Sequence, residues 1–174
     1  CGHIRGLFKG YRELREAGLI DRLPRMIVVQ AYNNSPLVTA IKRNLNQVVP
    51  FTNFHTVAEA ITSGNPIGGD EILDKARRYS WLAEDVTEDE ILIGQREFAR
   101  AGFFVEPSTA TSLLAVRKLV DAGSLSRDSC VVLMLTGAGL KDLEAFNHQP
   151  CDGLIDSDID SIEKDLARLI SSGR

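Results

Sequence analysis

Three observations predict an α/β fold with a mainly parallel sheet. Apolar patterns of helical and of strand length alternate along the chain without an internal repeat or low-complexity tract, the signature of βαβ units. The run Cys130-Val-Val-Leu-Met-Leu135 is apolar at every position, as in a strand covered on both faces of a parallel sheet. That run enters the turn Thr136-Gly-Ala-Gly-Leu-Lys-Asp142, and open α/β sheets bind ligands outside the carboxyl ends of their strands. Thr136, Gly137 and Gly139 therefore mark a candidate ligand edge.

The elements follow in order. Ile4, Leu7, Phe8, Tyr11 and Leu14 share one helical face, and that helix stops near Gly18. Met26 to Gln30 reads as a buried strand. Ser35-Pro36 supplies an N-cap and a first-turn proline for a helix burying Leu37, Val38, Ile41 and Leu45. A further helix is expected after Pro50, although the pattern weakens from there to Gly69. Thr56 is positioned to cap a short helix over Val57, Ala60 and Ile61, which Gly64-Asn-Pro66 breaks. Gly68-Gly69 reads as a turn before a helix from Asp70 to Tyr79, and Trp81 to Val86 as an edge or half-buried strand.

Thr87 and Glu90 have the spacing of a capping box, opening a helix that buries Ile91, Leu92, Phe98 and Ala99 and ends at Gly102. Phe103 to Val105 is expected as another strand and Glu106-Pro-Ser-Thr109 as a turn, with Ser108 or Thr109 capping the next helix. That helix carries Leu113, Leu114, Val116 and Leu119 and closes at Ala122-Gly123. After Asp142 the composition shifts. Residues 143 to 160 are rich in Asp, Asn, Pro and Gly and read as loop, and Ser161 to Ser171 as a terminal amphipathic helix.

The chain has 174 residues, enough for one large domain or a substantial piece of one. A quarter of them are charged and the formal net charge is -4, so no polybasic surface invites nucleic acid or an anionic membrane. No apolar run reaches the roughly 20 residues of a membrane span, and the first residues lack a signal-peptide pattern; the expected location is cytoplasmic. A start at Cys1 in place of methionine predicts a processed, cut or partial chain. Cys1, Cys130 and Cys151 are odd in number and lack metal-ligand spacing, which predicts neither a disulfide framework nor a zinc site. Cys130, opening the apolar run, is expected to be a small buried hydrophobe. His55 and His148 stand apart from other ligand-type residues.

Four strings occur in an order that resembles threonine synthase: K-G-Y-R-E-L at 9–14, R-L-P-R-M-I-V-V-Q-A at 22–31, E-P-S-T-A-T at 106–111 and L-T-G-A-G-L-K-D at 135–142. The last is the most family-specific. The likeness covers residues 1 to about 142 and is to the C-terminal part of that family. It implies a pyridoxal 5'-phosphate enzyme of the tryptophan-synthase-β type, fold type II, with this chain forming most of the larger domain, a three-layer α/β sandwich.

The resemblance implies a cofactor-binding set of Thr136, Gly137, Glu106, Gly2 and His3. Thr136 would set its hydroxyl against the pyridine nitrogen, where a neutral partner leaves that nitrogen largely unprotonated. Gly2 and His3 match the end of the family's G-N-x-G-N loop, whose amides and following helix N-terminus hold the cofactor phosphate. His3 replaces the final Asn, so only the main-chain role carries over. Glu106 would stand near the ring at the mouth of the site, held extended by the proline that follows. Ala138 stands where the family often has histidine or asparagine, which leaves the substrate open.

Pyridoxal enzymes also need a Schiff-base lysine, and in this family it lies upstream in a Ser-x-Lys context. Lys9, Lys42, Lys75, Lys118, Lys141 and Lys164 all lack that context, so the chain is expected to hold no catalytic lysine and to be inactive alone. The implied whole-protein reaction is a lyase conversion of O-phosphohomoserine and water to threonine and phosphate. The implied partners are a phosphorylated amino-acid substrate, the missing N-terminal part of the enzyme and a second subunit in a homodimer. Cysteate synthase, threonine dehydratase and cysteine synthase-like enzymes of the same fold type remain open, as does a non-catalytic phosphate-ligand-binding module. The module is disfavoured because neither a G-x-G-x-x-G nor a G-x-x-x-x-G-K-S/T loop is present.

Overall fold

A computed structural model describes residues 1–142 and 159–171. The chain divides into two units, 1–142 and 143–174. The first is a mixed α/β body built from α1 (Gly2–Glu16), β1 (Ile27–Ala31), α2 (Pro36–Lys42), α3 (Gly69–Arg78), β2 (Leu82–Val86), α4 (Glu88–Arg100) and α5 (Pro107–Asp121). In the second, α6 spans Ile159–Ser171. The loop expected over 143–160 lies, to residue 158, outside the described residues.

β1 and β2 pair in parallel, with Ile27 opposite Leu82 and Ala31 opposite Val86. The intervening α2 and α3 supply the crossover that a parallel pair requires. Two apolar clusters form on this pair. In one, Phe8 of α1 packs with Val28, Leu37, Val38, Ile72, Leu73 and Trp81. There the Phe8 ring meets Tyr79 and Trp81 edge-on, each at 4.8 Å between centroids, a geometry that adds to simple burial. In the other, Ala31 and Val86 at the carboxyl ends of the strands meet Ile91 and Phe98 of α4, Val105, and Ala110 and Leu114 of α5.

Local chemistry sets the helix ends. Thr87 and Glu90 make the expected capping box, with the Glu90 amide donating to Thr87 Oγ1 at 3.4 Å and the Thr87 amide to Glu90 Oε2 at 2.8 Å. Gly18, Gly102 and Gly123 take positive φ just past α1, α4 and α5, the conformation that closes a helix without a Cβ penalty. α2 departs from expectation. Ser35 occupies the N-cap position but its side chain makes no capping bond. Gln30 of β1 accepts from the Leu37 and Val38 amides, both at 2.9 Å.

Four other expectations are corrected. No helix follows Pro50; the segment is closed as a loop by the Phe51 amide donating to Gly64 O, and only the short turn Glu59–Ile61 is helical, of the 3-10 type. α5 is capped by neither Ser108 nor Thr109. Glu106 is its N-cap and Pro107 its first residue, because a proline fits where no intrahelical amide is needed. Phe103–Val105 is not a strand and contributes one isolated antiparallel bridge, Val105 with Ala138. The run 130–135 is not a buried strand either. Cys130 is exposed, Val132 is 71% exposed, and none of residues 130–136 makes a backbone-to-backbone hydrogen bond among the described residues. A strand needs neighbours on its edges, and no described segment lies there; only Leu133 packs onto the second cluster.

Candidate functional site

The N-terminus of α5 and the turn after the 130–135 run come together because two short stretches of backbone clasp each other. The Glu106 amide donates to Gly137 O at 3.1 Å and the Gly139 amide to Phe104 O at 3.0 Å. This clasp requires glycine at both positions. A Cβ on Gly139 would lie 2.7 Å from the Phe104 ring, and one on Gly137 would collide with the Glu106 carboxylate. The double-glycine turn thus serves close approach of two chain segments, a role legible in its sequence only as a capacity.

Inside the clasp sits a knot of four residues. Thr136 Oγ1 donates to Glu106 Oε1 at 3.3 Å and lies 2.9 Å from Thr109 Oγ1. The Gly137 amide donates to Thr109 Oγ1 at 3.2 Å. Glu106 and Thr109 are buried, whereas Thr136 is exposed. The result is an exposed residue whose hydroxyl is held by two buried side chains. Glu106, Thr136 and Gly137, selected from the sequence, are therefore brought together.

Gly2 and His3 are not brought to this knot by any hydrogen bond among the described residues. They open α1, exposed, with no acidic residue in the first turn and no side-chain cap. Thr109 is the residue that sequence reasoning misplaced. Read as a helix cap, it is instead the third residue of α5 and the centre of the knot. A threonine three residues after an N-cap, in a string ending a predicted strand, was the available signal.

Lys9, Lys42, Lys75 and Lys118 lie in charged company. Lys9 pairs with Glu13 and Lys75 with Glu71 along their own helices. Lys42 binds Glu84 at 2.5 Å and Asp85 at 2.8 Å. Lys118 donates to the Asp85 carbonyl at 2.8 Å and to Glu90 at 3.1 Å. Partial burial disfavours the Lys42 ammonium, but its bonds to Asp85 and Glu84 outweigh that and hold it above the ordinary lysine value. An amine so held is the reverse of an activated nucleophile. Among the described residues no helix is long and apolar enough to cross a membrane.

The family model for pyridoxal-phosphate dependent enzymes matches residues 1–137. The chain is 40% identical over 167 residues to a threonine synthase of Methanosarcina acetivorans, an alignment covering 94% of this chain and 41% of the other. It is 39% identical to a threonine synthase of Methanocaldococcus jannaschii over 83% of this chain and 36% of that protein. The chain thus spans about two-fifths of the length of these curated relatives. A crystal structure of threonine synthase from Escherichia coli shares its fold with a TM-score of 0.54 at 16% identity, covering 87% of this chain and 38% of that one.

Proposed function

This chain belongs to the pyridoxal-phosphate dependent enzymes, and from that premise we propose that it is the C-terminal part of a threonine synthase, a lyase forming threonine and phosphate from O-phosphohomoserine and water. The observation that carries this reading is the hydroxyl of exposed Thr136, held by Glu106 and Thr109, in a chain that is 40% identical to a threonine synthase. Its donor chemistry fits the cofactor. Thr136 Oγ1 lies 2.9 Å from Thr109 Oγ1 and 3.3 Å from Glu106 Oε1, and a hydroxyl both donates and accepts, so it can turn its proton to a ring nitrogen.

When bound, pyridoxal 5'-phosphate supplies an electron sink for carbanions of the substrate. Thr136 would donate to the pyridine nitrogen and, being neutral, leave it unprotonated. Gly137 brings its backbone against the Glu106 side chain, and Glu106 holds the Thr136 side chain from behind. The amides of Gly2 and His3, at the exposed N-terminus of a 15-residue helix, would receive the cofactor phosphate, where the helix dipole favours an anion.

On this reading the lysine that holds the cofactor comes from the N-terminal part of the complete protein, and the three-layer sandwich is completed by strands from that part. The complete enzyme is cytoplasmic and forms a homodimer. The ion-paired state of Lys9, Lys42, Lys75 and Lys118 supports an inactive isolated chain.

The test is to incubate the purified chain with pyridoxal phosphate, reduce with borohydride and map any label by peptide mass. Threonine formation from O-phosphohomoserine is assayed in parallel, with and without the N-terminal part of a close relative. The expected result is no stoichiometric label and no turnover until that part is added. One lysine of this chain labelled specifically, with turnover by the chain alone, would overturn the reading. Turnover of the complemented protein on another substrate, such as cysteine-forming or dehydratase substrates, would redirect it within the fold type.

A further inference from the structure

We infer that Thr109 is a positioning residue whose hydroxyl fixes the direction of the Thr136 proton, so that Thr136 meets its ligand as a hydrogen-bond donor. The inference rests on the pyridoxal reading above and adds a residue and a selectivity to it. The ligand class it selects is an aromatic ring with an unprotonated nitrogen.

Counting protons fixes the direction of these bonds. Thr109 Oγ1 lies 3.2 Å from the Gly137 amide nitrogen and 2.9 Å from Thr136 Oγ1. An amide N–H only donates, so the Thr109 oxygen accepts that bond. Thr136 Oγ1 lies 3.3 Å from Glu106 Oε1, and an ionised carboxylate only accepts. Each hydroxyl carries one proton. One assignment accommodates all three contacts: Gly137 N–H donates to Thr109, Thr109 donates to Thr136, and Thr136 donates onward to Glu106. The reverse direction turns the Thr136 proton back toward Thr109 and leaves lone pairs of Thr136 facing the carboxylate. The remaining acceptor for a reversed Thr109 proton, Gly137 O, is 3.5 Å away, at the limit of a hydrogen bond.

Burial makes the direction durable. Thr109 is only 2% exposed, so water does not compete for its proton, and its position in the first turn of α5 is held by its amide donating to Glu106 O at 3.1 Å. Thr136 is exposed and gives up the long contact to Glu106 when a ring nitrogen arrives. The direction set behind it remains.

The test compares pyridoxal phosphate with its 1-deaza analogue, in which a C–H replaces the ring nitrogen, by equilibrium binding to the full 174-residue chain complemented with the N-terminal part used above, and to its Thr109→Val and Thr109→Ser variants complemented in the same way. The wild-type chain should prefer pyridoxal phosphate by about 3- to 10-fold, the worth of one such hydrogen bond. Thr109→Val should bring the ratio close to one, and Thr109→Ser should restore it. The Gly137 amide resonance, which reports its bond to residue 109, should move in the Val variant and not in the Ser variant. If both ligands weaken in parallel with their ratio unchanged, Thr109 is merely structural and the inference is overturned. If the wild-type chain binds both ligands equally, Thr136 is not a donor to the ring and the inference also falls. If it binds neither, the cofactor reading beneath it fails. Should the Val variant not fold, Thr109→Ala, which removes the hydroxyl without placing a methyl against the Gly137 amide, carries the same comparison.

Discussion

Gly137 lies so close to Glu106 that a Cβ on the glycine would stand 2.2 Å from the carboxylate carbon. The clasp depends on this close approach. Gly137→Ala must either push Glu106 out of its buried position or open the Glu106 amide to Gly137 carbonyl bond. The expected cost is about 1–3 kcal/mol, as for overpacking in a core, measured as a shift in the urea midpoint. A variant as stable as the wild type would show that the two segments do not meet this closely.

Thr136→Val removes the hydroxyl while keeping the side-chain shape. Because Thr136 is exposed, its folding stability should change by less than about 1 kcal/mol, within the range of a single net hydrogen bond. Affinity for pyridoxal phosphate should fall by about 3- to 10-fold, and Thr136→Ser should keep most of it. Equal affinity of Val and wild-type chains in a spectrophotometric titration would remove Thr136 from the site.

α4 and α5 pack through Gly94, where an added Cβ would lie 2.3 Å from Leu114 Cδ2 and 2.9 Å from the Ala110 carbonyl oxygen. The leucine tip can shift but the backbone oxygen cannot. Gly94→Ala gains helix propensity yet should still lose about 1–3 kcal/mol through overpacking. A rise in melting temperature would mean that the helices part at little cost.

The capping box is separable from the site. Thr87→Ala deletes the side chain that accepts from the Glu90 amide and should cost about 1 kcal/mol, with binding of pyridoxal phosphate unchanged. Paired thermal melts and binding titrations check both halves; a loss of binding would tie the start of α4 to the ligand.

Acid should unfold the chain through Asp85 and Glu90. Burial pushes the Asp85 carboxyl up, but the hydrogen bond and charge of Lys42 more than reverse this and hold it below its ordinary 3.8. Glu90 is likewise pushed up by burial and pulled below 4.5 by the Thr87 amide and Lys118. Groups with lowered folded values stabilise the fold above their unfolded values and lose that stabilisation as pH falls through the folded ones. Melting temperature should therefore drop as pH is taken below about 4. Lys42, held above 10.5, acts in the opposite sense, and its contribution disappears only as pH rises beyond that value. Lys42→Met should move the Asp85 carboxyl titration, followed by NMR, to higher pH; an unmoved midpoint would sever the pair.

Much of the helical framework was legible because its signals are local. Thr87 and Glu90, the positive-φ glycines and the proline at the start of α2 each act within one turn of chain, so sequence spacing alone locates them. β1 and β2 were legible from their apolar content, within a residue at each end. The 130–135 run was misread for a physical reason. Its composition records burial on both faces, which depends on neighbours that the described residues do not supply. Within the site, Glu106, Thr136 and Gly137 were found through a motif, and Thr109 was not. A threonine beside a helix start satisfies the rules for a cap, and only the fold reveals that its hydroxyl turns across to a segment 27 residues away.

The uncovered run bears on how this polypeptide behaves in a test tube. Residues 130–135 carry no charge and no proline, and among the described residues their main-chain donors and acceptors find no main-chain partner, a template for strand addition between molecules. Colloidal stability should then depend on protein concentration more than on thermal stability: dilute samples stay monodisperse, while concentrated ones scatter light well below the melting temperature. Val132→Lys, placing a gatekeeper charge on a residue that is 71% exposed, should delay that turbidity while leaving the melting curve where it was.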